Sequence, residues 1–339
     1  MSGETPLRVA FIGCGNIATR QHGPAFQTIP GVTIVAGCDL LPERAQAFTA
    51  RFGGRPYTDL TTMLAAEQPD IVVVCTREDQ HVEPTLAALE AGAHVLCEKI
   101  MAHTLAGGQA MLMAARRTSR LLGINYNYRF FPPLVTLKRL LTEGALGEIA
   151  FLSVTAHAFC FHHALDLLRW LGGEVVALTG QVSVAADPQV HYPVRCPDFV
   201  YVPSRAASVV VRFASGALGT LTATRYEHLT TRLLRLEVAG ARGRLVVDGL
   251  TLDDIVGRLT RWPEGQEIPT GAGPERGFAL SFQQADRAFV ARVRGAETPA
   301  ATGEDGYAVL LLERALVLAQ TTGRTIALPS LTPVAEVGR

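Results

Sequence analysis

LRVAFIGCGNIA, residues 7–18, decides how the rest of the chain is read. Leu7–Gly13 is a short, mostly apolar run, as in a buried strand. Gly13, Gly15 and Ala18 then fall at the small positions of G-x-G-x-x-G/A, between that strand and a helix, which is the context the pattern requires. The first glycine makes the tight turn. The second lets backbone approach a pyrophosphate, and Ala18 lets the helix pack close to the strand. Gly15, Asn16 and Ile17 open the helix, whose N–H groups and positive potential favour an anion. Asp39 closes the following β-branched run, Val32–Asp39. A carboxylate there accepts hydrogen bonds from the adenosine ribose hydroxyls and repels a 2′-phosphate, so NAD is the expected cofactor. Arg44 lies near enough to leave NADP open.

Outward from this unit the same grammar repeats. Pro42 opens a helix. Asp70–Thr76 (DIVVVCT) is a continuous apolar strand, typical of a parallel sheet covered on both faces. Asp79–Ala91 reads as a helix, Ala93–Lys99 as a strand, Thr104–Thr118 as a helix and Leu121–Asn127 as a strand. The repetition predicts a doubly wound parallel sheet of the Rossmann type over residues 1–127. The pattern then changes. Helices are expected at Pro132–Thr142, His162–Leu171, Phe278–Arg294 and Asp305–Thr322. Longer strands are expected at Glu148–His157, Val175–Ala185, Ala206–Ala214, Ala217–Tyr226, Arg232–Ala239 and Arg244–Asp248. Ser215-Gly216 and Gly240–Gly243 read as hairpin turns, and Pro263–Gly277 as a Gly/Pro-rich loop. Residues 128–339 are therefore expected to form an α+β domain on an open, mostly antiparallel sheet. A sheet with one open face invites self-association, so a homodimer or homotetramer is expected.

Bulk composition narrows the partners. The chain has 339 residues, enough for two domains, and 31 basic against 31 acidic side chains. Neither half carries the basic excess of a nucleic-acid binder, which leaves a small molecule as the expected partner. No charged n-region precedes an apolar stretch, and no apolar run is long enough to span a membrane. The 6 cysteines form no CxxC pair and read as buried free thiols, consistent with a cytoplasmic protein. Of the 31 basic residues only Lys99 and Lys138 are lysine. A lysine after a strand end, in a chain that otherwise writes arginine, suggests that a compact ammonium is needed there.

Several stretches taken together resemble the Gfo/Idh/MocA oxidoreductases, the relatives of glucose–fructose oxidoreductase and inositol dehydrogenase. They are Gly13–Ala18, His81, His94–Lys99 (HVLCEK), Asn127–Phe130 (NYRF), Gly147–Ile149 and HALDLLRWL at 163–171. The resemblance implies hydride transfer between a nicotinamide and a hydroxyl or keto carbon of a sugar, cyclitol or related polyol. It implies that Lys99 binds the reacting oxygen and that His163 takes the hydroxyl proton, with a pKa suited to the task. Thr76, His81, Glu98 and Lys99 would meet the cofactor. Asn127, Arg129, His162 and Asp166 would line the substrate pocket, with Asp166 as a possible partner of His163. No metal is expected, although His157, Cys160, His162 and His163 are all ligand types.

Three departures stand out. Ile100 replaces the proline of Glu-Lys-Pro, and Thr76-Arg77-Glu78 replaces Thr-Pro-Asn. Phe159 stands four residues before His163, where members with the full pattern carry an aspartate that orients the imidazole. His157 or His162 could take that task, or the pocket has moved. Two other readings stay open: a dinucleotide-binding sensor without catalysis, and NAD-assisted glycoside cleavage.

Overall fold

The computed structural model describes residues 6–183, 206–225 and 232–328. Its first sheet has six strands: β1 (Leu7–Ile12), β2 (Val32–Cys38), β3 (Arg55–Tyr57), β4 (Ile71–Val74), β5 (His94–Cys97) and β6 (Leu122–Ile124). Their order is β3-β2-β1-β4-β5-β6 and every pairing is parallel. This is the doubly wound order with its switch point between β1 and β4. The connecting helices are α1 (Gly23–Gln27, entered through a π-turn at Ala18–His22), α2 (Pro42–Phe52), α3 (Leu60–Glu67), α4 (Val82–Glu90) and α5 (Leu105–Thr118). β4 is buried along its whole length, as a strand covered on both faces must be.

The second sheet has nine strands: β7 (Ile149–His157), β8 (Val175–Val182), β9 (Ala206–Phe213), β10 (Leu218–Thr224), β11 (Leu234–Gly240), β12 (Gly243–Leu250), β13 (Arg258–Trp262), β14 (Gln266–Glu267) and β15 (Ile326–Ala327). The order is β14-β13-β12-β11-β7-β10-β9-β8-β15, antiparallel except for β7 beside β10. β9 alternates buried and exposed residues, so one face is core and the other open. The buried face is covered by α7 (Phe161–Gly172) and α9 (Gly303–Thr322). Val210 and Leu218 stand exposed on strands of this sheet. The remaining helices are α6 (Pro132–Thr142) and α8 (Ala279–Val293).

The expected hairpins join β9 to β10 and β11 to β12. β3, α3, β13, β14 and β15 were not anticipated. Most are too short to show a period, and β3 contains Pro56. β14 lies inside the stretch expected to be a loop. β6 ends at Ile124, earlier than expected, because Asn127–Phe130 forms a 3₁₀ turn. Of the expected elements, Val184, Ala185 and Tyr226 lie outside the described residues, as does Cys196. The other five cysteines are free and buried.

The chain also returns to its first sheet. Phe289 and Val290 of α8 share a core with Val9, Phe11, Ile71 and Val73, and α9 packs on α5 and β6. This return carries side chains of α8 and α9 beneath the carboxyl ends of the parallel strands.

Candidate active site

Gly13, Asp39, Thr76, Lys99 and Asn125 follow β1, β2, β4, β5 and β6, so all five stand at one edge of the sheet. Gly13 has φ +87°, and a Cβ there would lie 2.7 Å from the Cys75 carbonyl carbon, so only glycine fits. A Cβ on Gly15 would meet nothing within 4 Å, which leaves that backbone open to a ligand. Asp39 is held by its own turn: its carboxylate accepts from the Cys14 N–H at 2.8 Å and the Leu41 N–H at 3.0 Å. Each oxygen keeps acceptor capacity for a ribose hydroxyl. Asp39 and Lys99 are three strand spacings apart, roughly 14 Å. An extended dinucleotide fits this cradle, with its phosphates at the glycine turn.

At the other end Lys99 directs its ammonium over the Phe159 ring, 5.3 Å from the centroid. Phe159 is 49% exposed, so it lies at the surface beside the ammonium rather than in the core. A carboxylate at 159 would therefore face Lys99 and solvent. The peptide between Lys99 and Ile100 is cis. His163, in the first turn of α7, is buried; it stacks on Tyr128 with ring centroids 3.8 Å apart and planes within 3°, and meets Tyr126 edge-on. Burial, then the charges of Lys99 and His162, push its pKa well below the usual imidazole value. His163 is therefore a neutral base beside a cation, the protonation state that proton abstraction needs.

Behind Lys99 lies a buried network that sequence reasoning missed. His22, from the π-turn after β1, is fully buried between two carboxylates. Its Nε2 is 2.9 Å from Glu98 Oε1 and its Nδ1 is 2.9 Å from Asp286 Oδ1. Asn125 donates to Glu98 Oε1 at 2.7 Å, and Glu98 Oε2 accepts from the Lys99 N–H at 3.1 Å. Burial opposes a charge on His22, but Asp286 and Glu98 outweigh it and raise the pKa to about 10. Burial likewise opposes the Glu98 carboxylate, and contact with His22 holds its pKa below the usual value. Glu98 thus anchors the backbone that carries Lys99. One signal was legible: Asp286 sits four residues after Phe282 and three before Phe289, on the apolar stripe of its own helix.

Other expected site residues turn elsewhere. His81 is fully buried, with Nδ1 2.7 Å from the Ile100 carbonyl and Nε2 3.1 Å from the Thr76 carbonyl. It clamps the two loops together. Thr76 donates its hydroxyl to the Gln80 carbonyl at 3.0 Å, and Arg77 pairs with Asp79. Asn127 donates to Ser281 at 2.7 Å, inside the protein. Arg129 and Asp166 bind each other at 2.8 Å, and Arg129 also reaches Asp305 at 3.1 Å, so Asp166 does not hold His163. His162 Nδ1 bonds Glu313 in the interior. Asn127, Arg129, His162 and Asp166 are thus buried, and each is already held by a partner inside the protein. His157 Nδ1 accepts from the Phe159 N–H at 3.1 Å, and Cys160 lies 3.3 Å from the Tyr128 hydroxyl. The four ligand-type residues thus make contacts of other kinds, and among the described residues no cluster of three is arranged for a metal.

A nucleotide cradle on a doubly wound sheet, with a lysine and a neutral histidine at its far end, defines a dinucleotide-dependent oxidoreductase. Residues 7–126 match the oxidoreductase family with an NAD-binding Rossmann fold, and residues 156–246 match the GFO/IDH/MocA C-terminal domain. The chain belongs to the Gfo/Idh/MocA family, and its cofactor class is NAD. It is 29% identical to D-apiose dehydrogenase of Paraburkholderia graminis, over 95% of this chain and 90% of that one. It is 38% identical to D-glucoside 3-dehydrogenase of Escherichia coli, over 46% of this chain and 45% of that one. In fold it is similar to levoglucosan dehydrogenase solved with NADH and levoglucosan, with a TM-score of 0.80 and 22% identity over 96% of this chain and 100% of that one.

Proposed function

We propose that this protein is an NAD-dependent dehydrogenase or reductase acting on a secondary hydroxyl or keto carbon of a sugar, cyclitol or related polyol. The observation that carries the reading is the pairing of a cationic Lys99 with a neutral His163 at the far end of the nucleotide cradle. Bound NAD supplies the hydride acceptor. Lys99 donates a hydrogen bond to the substrate oxygen and stabilises negative charge developing there. His163 accepts the hydroxyl proton in oxidation and returns it in reduction. Gly13, Gly15, Asn16 and Ile17 cradle the phosphates, and Asp39 takes the adenosine ribose. Glu98 fixes the Lys99 backbone, and Phe159 supplies an aromatic wall beside the ammonium. Residues 1–127 then form the cofactor unit and 128–339 the substrate and assembly unit, working in the cytoplasm. The open face of the second sheet supports a homodimer or homotetramer, and a particle of one chain's mass in light scattering would exclude it.

The test is NAD reduction against a panel of sugars, cyclitols and polyols, repeated with NADP. Turnover on at least one panel member is expected, with tighter binding of NAD than of NADP. Absence of turnover across the panel in both directions would overturn the reading, and tighter NADP binding would remove the role given to Asp39.

A further inference from the structure

His163 raises a problem of orientation. A general base must present a lone pair to the pocket and keep its proton on the other nitrogen. Phe159 cannot fix that tautomer. Arg129 holds Asp166. Tyr128 and Tyr126 grip the ring by its face and edge but do not choose which nitrogen carries the proton.

The interior side of the ring offers an alternative. His163 Nδ1 is sealed from solvent and meets no hydrogen-bond partner among the described residues, so Nε2 is the nitrogen left to serve the pocket. Among the other sealed polar atoms in this condition, the Tyr126 hydroxyl and Glu313 Oε2 belong to residues tied to His163 or to its neighbour His162. The three come from the turn after β6, from α7 and from α9. Tyr126 touches the His163 ring, and Glu313 is tied through its other oxygen to His162, the neighbour of His163. Lys99 acts electrostatically on both Glu313 and His163, and Tyr126 feels Asp166 and then Glu313, so the three residues are near neighbours in the interior. Three sealed polar atoms without partners would each forfeit their hydration, an arrangement native interiors avoid. One water bonded to all three removes that penalty, within the two to four bonds an internal water usually makes. Glu313 also sits on the apolar stripe of α9 between Val309 and Leu316, where a carboxyl group has no packing value.

We propose that Tyr126 and Glu313, joined by one internal water, hold the His163 proton on Nδ1 and leave Nε2 free for substrate. They thereby replace from the interior the aspartate that is absent at position 159. Both are positioning residues. The water accepts from Nδ1–H and donates to Glu313 Oε2, and the Tyr126 hydroxyl completes its shell. When Nε2 takes the substrate proton, the same chain of bonds spreads the imidazolium charge towards Glu313. The catalytic half of this assignment rests on the dehydrogenase reading; the tautomer half does not.

The experiment is nitrogen NMR of the imidazoles in ¹⁵N-histidine protein saturated with NAD, with His163 identified by its loss in His163→Gln. The parent should show one tautomer, protonated on Nδ1. Tyr126→Phe, which removes a single oxygen and leaves His162 untouched, should give a mixture of tautomers. Glu313→Leu should do the same, and Glu313→Gln should restore the parent pattern because its amide oxygen accepts. Should Glu313→Leu fail to fold, Tyr126→Phe and Glu313→Gln decide alone. An Nε2 proton or a mixture in the parent, or an unchanged pattern in Tyr126→Phe, overturns the proposal. On a substrate the parent turns over, kcat should fall roughly 10- to 100-fold in Tyr126→Phe, as for other partners that orient a functional histidine, with KM held. Failure of every substrate would count against the dehydrogenase reading and leave the tautomer result standing.

Discussion

His22 and His163 are both buried histidines within reach of the same Glu98-Lys99 segment, and the protein treats them in opposite ways. His22 lies between two carboxylates and keeps its proton to about pH 10. His163 lies among tyrosine rings with a cation nearby and stays neutral well below its ordinary pKa. Burial penalises the charged form of both rings. The neighbours decide the outcome: two anions overcome the penalty at His22, and Lys99 adds to it at His163. A paired buried charge works as a clamp, whereas an uncharged ring is available to accept a proton. The contrast divides the region into a structural half behind Lys99 and a chemical half in front of it.

Activity should expose this division most strongly. On a substrate the parent oxidises, His163→Ala should lower turnover by roughly 10²–10⁴. Lys99→Ala should cost on the order of 10²–10³. NAD affinity measured by calorimetry should stay near that of the parent in both. Parent-like turnover in His163→Ala would erase the chemical half of the comparison.

Stability should respond at the other histidine. His22→Leu leaves Glu98 and Asp286 buried without their cation, a change worth about 3–5 kcal/mol. Denaturant unfolding should register that loss, and a change below about 1 kcal/mol would mean that His22 is not the clamp described.

The pH dependence of stability separates the two rings by sign. A histidine whose pKa rises on folding stabilises fully below its unfolded value and loses that contribution as pH climbs through its folded value. For His22 the contribution is present below pH 6.5 and fades towards about pH 10. His163 has the reverse shift, so the unfolded chain binds more protons below pH 6.5 and stability drops there as pH falls. Melting temperatures from pH 5 to 10 should therefore show a flatter alkaline limb in His22→Gln and a flatter acid limb in His163→Gln. Parallel curves for the parent and both variants would contradict the assignment.

The smallest expected change is at the wall between the halves. Phe159→Asp places a carboxylate at a half-exposed position near Lys99, where an ion pair contributes no more than about 1 kcal/mol. The melting temperature should barely move. A loss of several kcal/mol would show that the side chain is sealed in solution.

The glycine turn, Asp39, the alternation of strands and helices, the hairpins and Lys99 were all legible in the chain. Each is written in a short window: a turn demands its glycine, and a strand or helix shows its period within a few residues. His22 left no such mark, being one polar residue in an irregular helix. Asp286 and Glu313 left a weak one, a carboxylate on an apolar stripe. The partners of Asn127, Arg129, His162 and Asp166 were hidden for the complementary reason. Polar residues near a catalytic motif read as pocket residues until their partners are known, and Ser281, Asp305 and Glu313 lie far along the chain.

By itself, then, the sequence determined the local units and the order in which they occur, because backbone conformation, turn chemistry and hydrophobic period are properties of neighbouring residues. Only the tertiary structure decided which buried polar groups are paired. The return of α8 and α9 to the first sheet brings Asp286 to His22 and Glu313 to His162, over separations of 264 and 151 residues. A side chain's charge depends on what lies within a few ångströms of it, and at those separations proximity is set by the packing of whole elements.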